Sequence, residues 1–133
     1  GLLHVPVQWH GQRVHTVVAH LSLLHASRLR QVQMLAAYLE AHVPAGEPLL
    51  VAGDFNDWGE KLDAPMAGIG LGRARTTHQP ASHRLTFPSR VPVFALDRVY
   101  TRGLVCRATY VPRGGAWARM SDHLPLVAEL ELA

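Results

Sequence analysis

The chain has 133 residues, 48% of them hydrophobic, with a formal net charge of +3. That is the size of one ordinary domain, residues 1–133, with enough apolar residues for a core; no apolar run is long enough to span a bilayer and no signal peptide opens the chain. One cysteine, Cys106, leaves no disulfide framework, so a reducing, cytoplasmic setting is expected. The chain begins with Gly rather than Met, which leads us to expect a segment upstream of Gly1. The positive charge is almost wholly arginine, Lys61 being the only lysine. Arginine forks match phosphate oxygens, although arginine dominance also follows from genomic base composition. No basic run is dense enough to announce nucleic acid.

In chain order, Leu2 to Trp9 and Val14 to Ala19 read as two strands of a hairpin turning at His10-Gly11. A helix is expected from Ser27 to His42, with Leu29, Val32, Leu35, Ala36 and Leu39 at helical spacing. Arg28, Arg30, Gln31 and Glu40 are assigned to its solvated face. Pro44-Ala45-Gly46 ends it. The apolar run Leu49-Leu50-Val51-Ala52 then reads as a strand buried on both faces. A short helix is expected near Glu60 to Ala67, a short strand over Arg73 to Thr77, and an irregular loop from His78 to Pro92. Strands follow over Val93 to Thr101, Leu104 to Val111 and Leu126 to Leu132, with a loop around Gly114-Gly115.

The buried strand empties into Gly53-Asp54-Phe55-Asn56. Residues two apart in extended backbone point the same way, so Asp54 and Asn56 are expected to project together. Gly53, without a Cβ, lets a ligand approach the backbone. An Asx turn leaving the strand accounts for the same residues. Three further polar clusters stand at strand ends: His20, Asp97, and Asp122 with His123. Carboxylates, an amide and imidazoles are the ingredients of hard-metal, phosphate-directed chemistry. His10, His15, His20 and His25 recur every fifth residue, which matches neither a helix face nor a strand face, so they are not read as zinc ligands. Trp58, just past the Asn56 turn, is the aromatic best placed to touch a substrate. Arg98 is read as a solvated side chain or as the partner of Asp97, and Cys106 as a small buried residue.

Gly53-Asp54-Phe55-Asn56, Leu96-Asp97-Arg98-Val99 and Ser121-Asp122-His123 resemble the closing motifs of the endonuclease/exonuclease/phosphatase superfamily, which contains exonuclease III-like and DNase I-like nucleases, sphingomyelinases and inositol-phosphate phosphatases. Ala19-His20-Leu21 is similar to an earlier family motif. Thr86-Phe87-Pro88-Ser89 resembles small bacterial members. The resemblance implies an α/β fold, half of a four-layer α-β-β-α sandwich with mostly antiparallel sheet and flanking helices. It implies a metal-dependent phosphoester hydrolase, a phosphodiesterase, nuclease or phosphatase, that attacks with water and forms no covalent intermediate, leaving Ser121 structural. His123 would be the catalytic histidine with Asp97 holding its ring. Asp54 would orient or deprotonate the water, with Asn56 bonding that water or a phosphate oxygen. His20 would donate to phosphate. Asp122 and Asp54 would lie at the metal, Mg²⁺ or alternatively Mn²⁺.

The chain departs from the family pattern in one respect. An earlier half of such proteins supplies an Asn and a metal-binding Glu, and no Glu here takes that place: Glu40 lies on the helix, Glu47 before a strand, Glu129 and Glu131 in the last strand. The chain is expected to furnish about one sheet with its helix and to need a partner over its inner face, either the missing N-terminal half or a second copy. The expected partners are thus a phosphoester substrate, with nucleic acid among the candidates, and that covering layer. The alternative function is a non-catalytic half-domain that only assembles or binds.

Overall fold

A turn at His10-Gly11, both residues at positive φ, folds β1 (Leu2–Trp9) back on β2 (Gln12–His20) in the expected hairpin. This computed structural model describes all 133 residues. Helix α1 (His25–His42) crosses over and returns the chain to β3 (Leu49–Asp54), parallel to β2. A parallel pair needs such a crossover. β5 (Asp97–Arg102) lies antiparallel on β3, and a two-residue β4 (Gly72–Arg73) closes the edge, giving the order β1-β2-β3-β5-β4. Helix α2 (Asp63–Gly68) sits between β3 and β4. The result is the expected α/β class, a mostly antiparallel sheet with flanking helices.

The registers place the polar strand ends side by side. The parallel pairing aligns His20 with Asp54, and the antiparallel pairing aligns Asp54 with Asp97. Residues paired across a ladder share a face. Three of the predicted site residues therefore stand abreast at one end of the sheet.

One sheet face carries the core. Val17, Ala19, Leu49 and Val51 pack against Val32, Leu35 and Leu39 of α1, with Phe55, Leu62, Met66, Leu71 and Tyr100 completing the cluster. Burial of each large aliphatic there contributes roughly 1.5–3 kcal/mol. On the opposite face Leu3, Val5 and Val18 remain 61%, 45% and 54% exposed. Leu124 to Leu126 approach Ala52 and Val99 but leave most of that face open. β3 is consequently buried on one face only, Leu49 and Val51 completely and Leu50 and Ala52 in part. The apolar run reported what the strand needs to bury, not what this chain covers.

Other boundaries also differ from expectation. The chain forms a second sheet of β6 (Leu104–Tyr110) and β7 (Val127–Leu132), where one sheet was expected. Gly103, at φ 70°, turns the chain out of the first sheet. β5 begins only at Asp97, because Phe94 is taken by an isolated bridge to Phe87. β4 is shorter than Arg73 to Thr77 and starts earlier, and α2 starts at Asp63 rather than Glu60. The Gly114-Gly115 loop is followed at once by helix α3 (Gly115–Met120), whose start two glycines disguise. α1 begins at His25, two residues before the expected start, and Arg28 turns inward, only 5% exposed. Its guanidinium donates to the carbonyls of Ser22 and Leu23 at 3.2 and 2.5 Å, satisfying the loop that enters the helix. Among the evenly spaced histidines, His15 is buried and bonds His4 and Glu47, whereas His10 and His25 are exposed.

Gly53 is required by its neighbour strand rather than by a ligand. Its φ is 144°, and a Cβ there would sit 1.9 Å from the Ala19 carbonyl oxygen. Gly53→Ala is expected to cost more than about 3 kcal/mol in urea unfolding of the protein. A loss below about 1 kcal/mol would contradict the close approach.

Candidate active site

The site is assembled from four chain segments. At the end of β3 the Asp54 carboxylate accepts the Asn56 backbone N–H at 2.9 Å, an Asx turn. Asn56 takes a left-handed backbone, φ 46°, so strand alternation does not set its direction. Its amide reaches the site through that turn instead, donating to the Leu21 carbonyl at 2.7 Å and lying 3.5 Å from His20 Nε2. His20 Nε2 stands 3.6 Å from Asp54 Oδ2, and His20 is largely exposed. The turn reading and the site reading of Asp54 and Asn56 thus describe one geometry.

Across the ladder, Asp97 Oδ2 is taken twice. His123 Nδ1 lies 2.7 Å from it and the Thr86 hydroxyl donates to it at 2.5 Å. Thr86 is fully buried, and its carbonyl accepts the Leu124 N–H at 2.8 Å. One residue therefore fixes both Asp97 and the segment carrying His123. With Nδ1 on Asp97, Nε2 points to Asp54, 3.7 Å from Oδ2. Phe87 packs on the imidazole with ring centroids 4.8 Å apart. Trp58, 43% exposed, packs in turn on Phe94 and Phe87, which places it on the wall beside His123.

Burial pulls the His123 pKa down, but the hydrogen bond and charge of Asp97, with the charges of Asp54 and Asp122, raise it above the usual histidine value. The imidazolium accordingly survives beyond pH 6.5 or so. It contributes stability that is full below that pH and is lost as pH rises through the raised value.

Asp54, Asp97 and His123 each offer an atom within 4.8 Å of the others, a group able to hold a metal ion. Their bonding divides the group. Asp97 and His123 occupy each other, while Asp54 Oδ2 has no hydrogen-bond donor closer than the two imidazoles. Asp122 is exposed, and its carboxylate accepts from the Ser121 hydroxyl at 3.4 Å. It lies outside the close group, although near enough to raise His123. Asp54 Oδ2 is thus a hard-oxygen donor of the group that carries no hydrogen bond. Mg²⁺ commonly takes just one or two carboxylates beside waters and phosphate. An open carboxylate oxygen at this rim fits such an ion.

Two arginines depart from expectation. Arg98 is neither solvated nor paired with Asp97. It is 1% exposed and binds Asp57, Nη1 to Oδ2 at 2.7 Å and Nη2 to the carbonyl at 2.9 Å. Arg28 approaches the other Asp57 oxygen at 3.9 Å. Sequence reasoning missed Asp57 and the support role of Thr86. Asp57 lay beside the Asn56 motif and Thr86 within a quoted one, so position was their only signal. The Ser121 hydroxyl accepts the His123 N–H at 3.1 Å and shapes that turn.

Residues 2–123 match the sequence model of the endonuclease/exonuclease/phosphatase family, and the chain belongs to that family. It is 39% identical over 125 residues to the uncharacterized protein YbhP of Escherichia coli K12, covering 92% of this chain and 48% of that one. The chain therefore spans about half the length of that curated relative. Among solved structures, Danio rerio TDP2 in complex with a single-strand DNA product superposes with a TM-score of 0.71 at 18% identity, over 98% of this chain and 61% of that one. The mannosyl-6-phosphatase Bt3783 of Bacteroides thetaiotaomicron gives 0.69 at 16%, over 92% and 53%. At these identities the structural likeness concerns the fold.

Asp97→Asn removes the charge that holds His123 protonated. Its NMR titration midpoint is expected to fall toward about 6.5 or lower. An unchanged midpoint would contradict the pairing.

Proposed function

We propose that this chain is the C-terminal half of a metal-dependent phosphoester hydrolase. The observation that carries the reading is His123 bonded through Nδ1 to Asp97, with Nε2 turned toward the Asp54 oxygen that carries no hydrogen bond. In the proposed reaction, water bonds to phosphorus and gives its proton to Asp54, while the bond to the leaving oxygen breaks. His123, charged because of Asp97, donates its Nε2 proton to that leaving oxygen. The proton then returns from Asp54 to His123 Nε2, 3.7 Å away, through a bridging water, restoring both groups. Asn56 and His20 donate to phosphoryl oxygens as charge develops. Asp54 and Asp122 would hold Mg²⁺, or Mn²⁺ in its place, and the ion supplies Lewis-acid stabilisation of the phosphoryl group.

The reading asks for a longer protein. The open apolar face of the first sheet supports a covering layer, the missing N-terminal half or a second copy, and a Glu from that half would complete the donor set. The same face favours the alternative, a half-domain that only assembles. Solved structures of this fold include a complex with a single-strand DNA product and a mannosyl-6-phosphatase, so the fold is compatible with either substrate class.

Full-length protein is expected to hydrolyse a generic phosphodiester or monoester with Mg²⁺, and to stop when EDTA removes the metal. His123→Ala and Asp122→Ala are expected to lower turnover by about 10²–10⁴-fold with unchanged near-UV circular dichroism. Retained turnover in either variant overturns the site. Activity absent from the intact protein, with this chain still binding its other half, favours the assembly reading.

A further inference from the structure

Five of the thirteen Lys and Arg side chains are neutralised by carboxylates. Arg28, Arg73, Arg84, Arg98 and Arg107 all stand within ion-pairing distance of carboxylates. Arg90, Arg113 and Arg119 form no such pair, and they line one open pocket of about 430 Å³ that contains no acidic residue. Three unneutralised guanidinium groups around one concavity form a local positive potential suited to phosphate oxygens.

The pocket is built onto the site. Ser89 and Leu124 line it. The Ser89 N–H donates to the Asp122 carbonyl at 2.8 Å, and Leu124 follows His123 in the chain. The Ser89 hydroxyl also donates to the Ala118 carbonyl at 3.2 Å, which ties α3 and Arg119 to the same frame. Trp117, two residues before Arg119 on α3, is 40% exposed, and Trp58, 43% exposed, packs on the Phe87 ring that covers His123. Cations that track a backbone, with aromatic faces beside them, are the components of a single-strand platform.

We propose that Arg90, Arg113 and Arg119 hold a non-scissile phosphate of a single nucleic-acid strand whose neighbouring phosphate lies at His123. The inference rests on the hydrolase reading and adds its substrate class. A monoester with one phosphate leaves the pocket unused; a strand fills both positions. Arg113 donates to the Ser82 carbonyl at 3.0 Å and so also braces the preceding loop. Arg90 and Arg119 are exposed and bear no such load, which makes them the clean pair to change.

The test uses full-length protein in EDTA, where binding is read without turnover, with a fluorescein-labelled thymidine 12-mer as probe. Arg90→Gln/Arg119→Gln is expected to weaken binding at least tenfold. The slope of log affinity against log salt should flatten by up to about 0.7, the one phosphate contact these arginines share. Turnover of bis(p-nitrophenyl) phosphate with Mg²⁺ should stay within about twofold of wild type. Unchanged strand affinity and slope overturn the proposal, as does a wild-type protein that does not bind the strand. Arginine-dependent binding of inositol hexakisphosphate with no strand binding overturns it in favour of a small polyphosphate. If arginine-dependent strand binding persists in a protein that cleaves no phosphoester, the hydrolase reading fails and the phosphate pocket stands.

Discussion

The buried pairing of Arg98 with Asp57 is the constraint on which the rest of the site depends. Both side chains are removed from water, and the guanidinium spends its donors on the Asp57 carboxylate, the Asp57 carbonyl and the Ala95 carbonyl. Burial pushes the Asp57 carboxyl up, but Arg98 together with the N–H groups of Lys61 and Leu62 holds it below the usual carboxylate range. Its contribution to stability is therefore present above the unfolded carboxylate value and disappears as pH falls through the lowered one. Such a pair is weak evidence for stability, since apolar replacements of equal volume are often as good, whereas removing one partner costs about 3–5 kcal/mol. Its value here is positional. Asp57 follows the Asp54–Asn56 turn, Arg98 follows Asp97, and Arg28, reaching Asp57 from α1, holds the loop that leaves His20. Three segments that each carry a site residue meet at one buried carboxylate.

The fourth segment is attached differently. His123 arrives on the connection between α3 and β7, in the part of the chain that leaves the first sheet. It is joined back by Thr86, whose hydroxyl holds Asp97 and whose carbonyl holds Leu124. Rigid ladder pairing positions His20, Asp54 and Asp97; loop hydrogen bonds position His123. The sheet end thus carries the carboxylates, and the loop carries the imidazole whose pKa they raise.

Much of this was legible in the sequence, for identifiable reasons. The hairpin, α1 and β3 follow from periodicity that burial enforces on one face. The four polar clusters were visible because a carboxylate or imidazole ending an apolar strand breaks its pattern. Arg28 and Arg98 were misread because charge alone says nothing of burial. Their partner Asp57 lies 41 positions from Arg98, a separation that no local pattern bridges. The Asn56 direction was right in outcome and wrong in cause, since a left-handed turn rather than strand alternation aims it. β4, β5 and α3 were misjudged where tertiary hydrogen bonds, a bridge and a glycine pair override propensity.

The central claim is that side chains from four segments converge on one rim to hold a divalent ion beside a phosphoryl site. Crystals of the full-length protein soaked in Mn²⁺, with anomalous scattering to locate the ion, address it directly. The account predicts a peak coordinated by an Asp54 oxygen, with His123 alongside and still bonded to Asp97. Manganese found only elsewhere, for instance on Glu60 and Asp63, with the Asp54 rim empty, would contradict it.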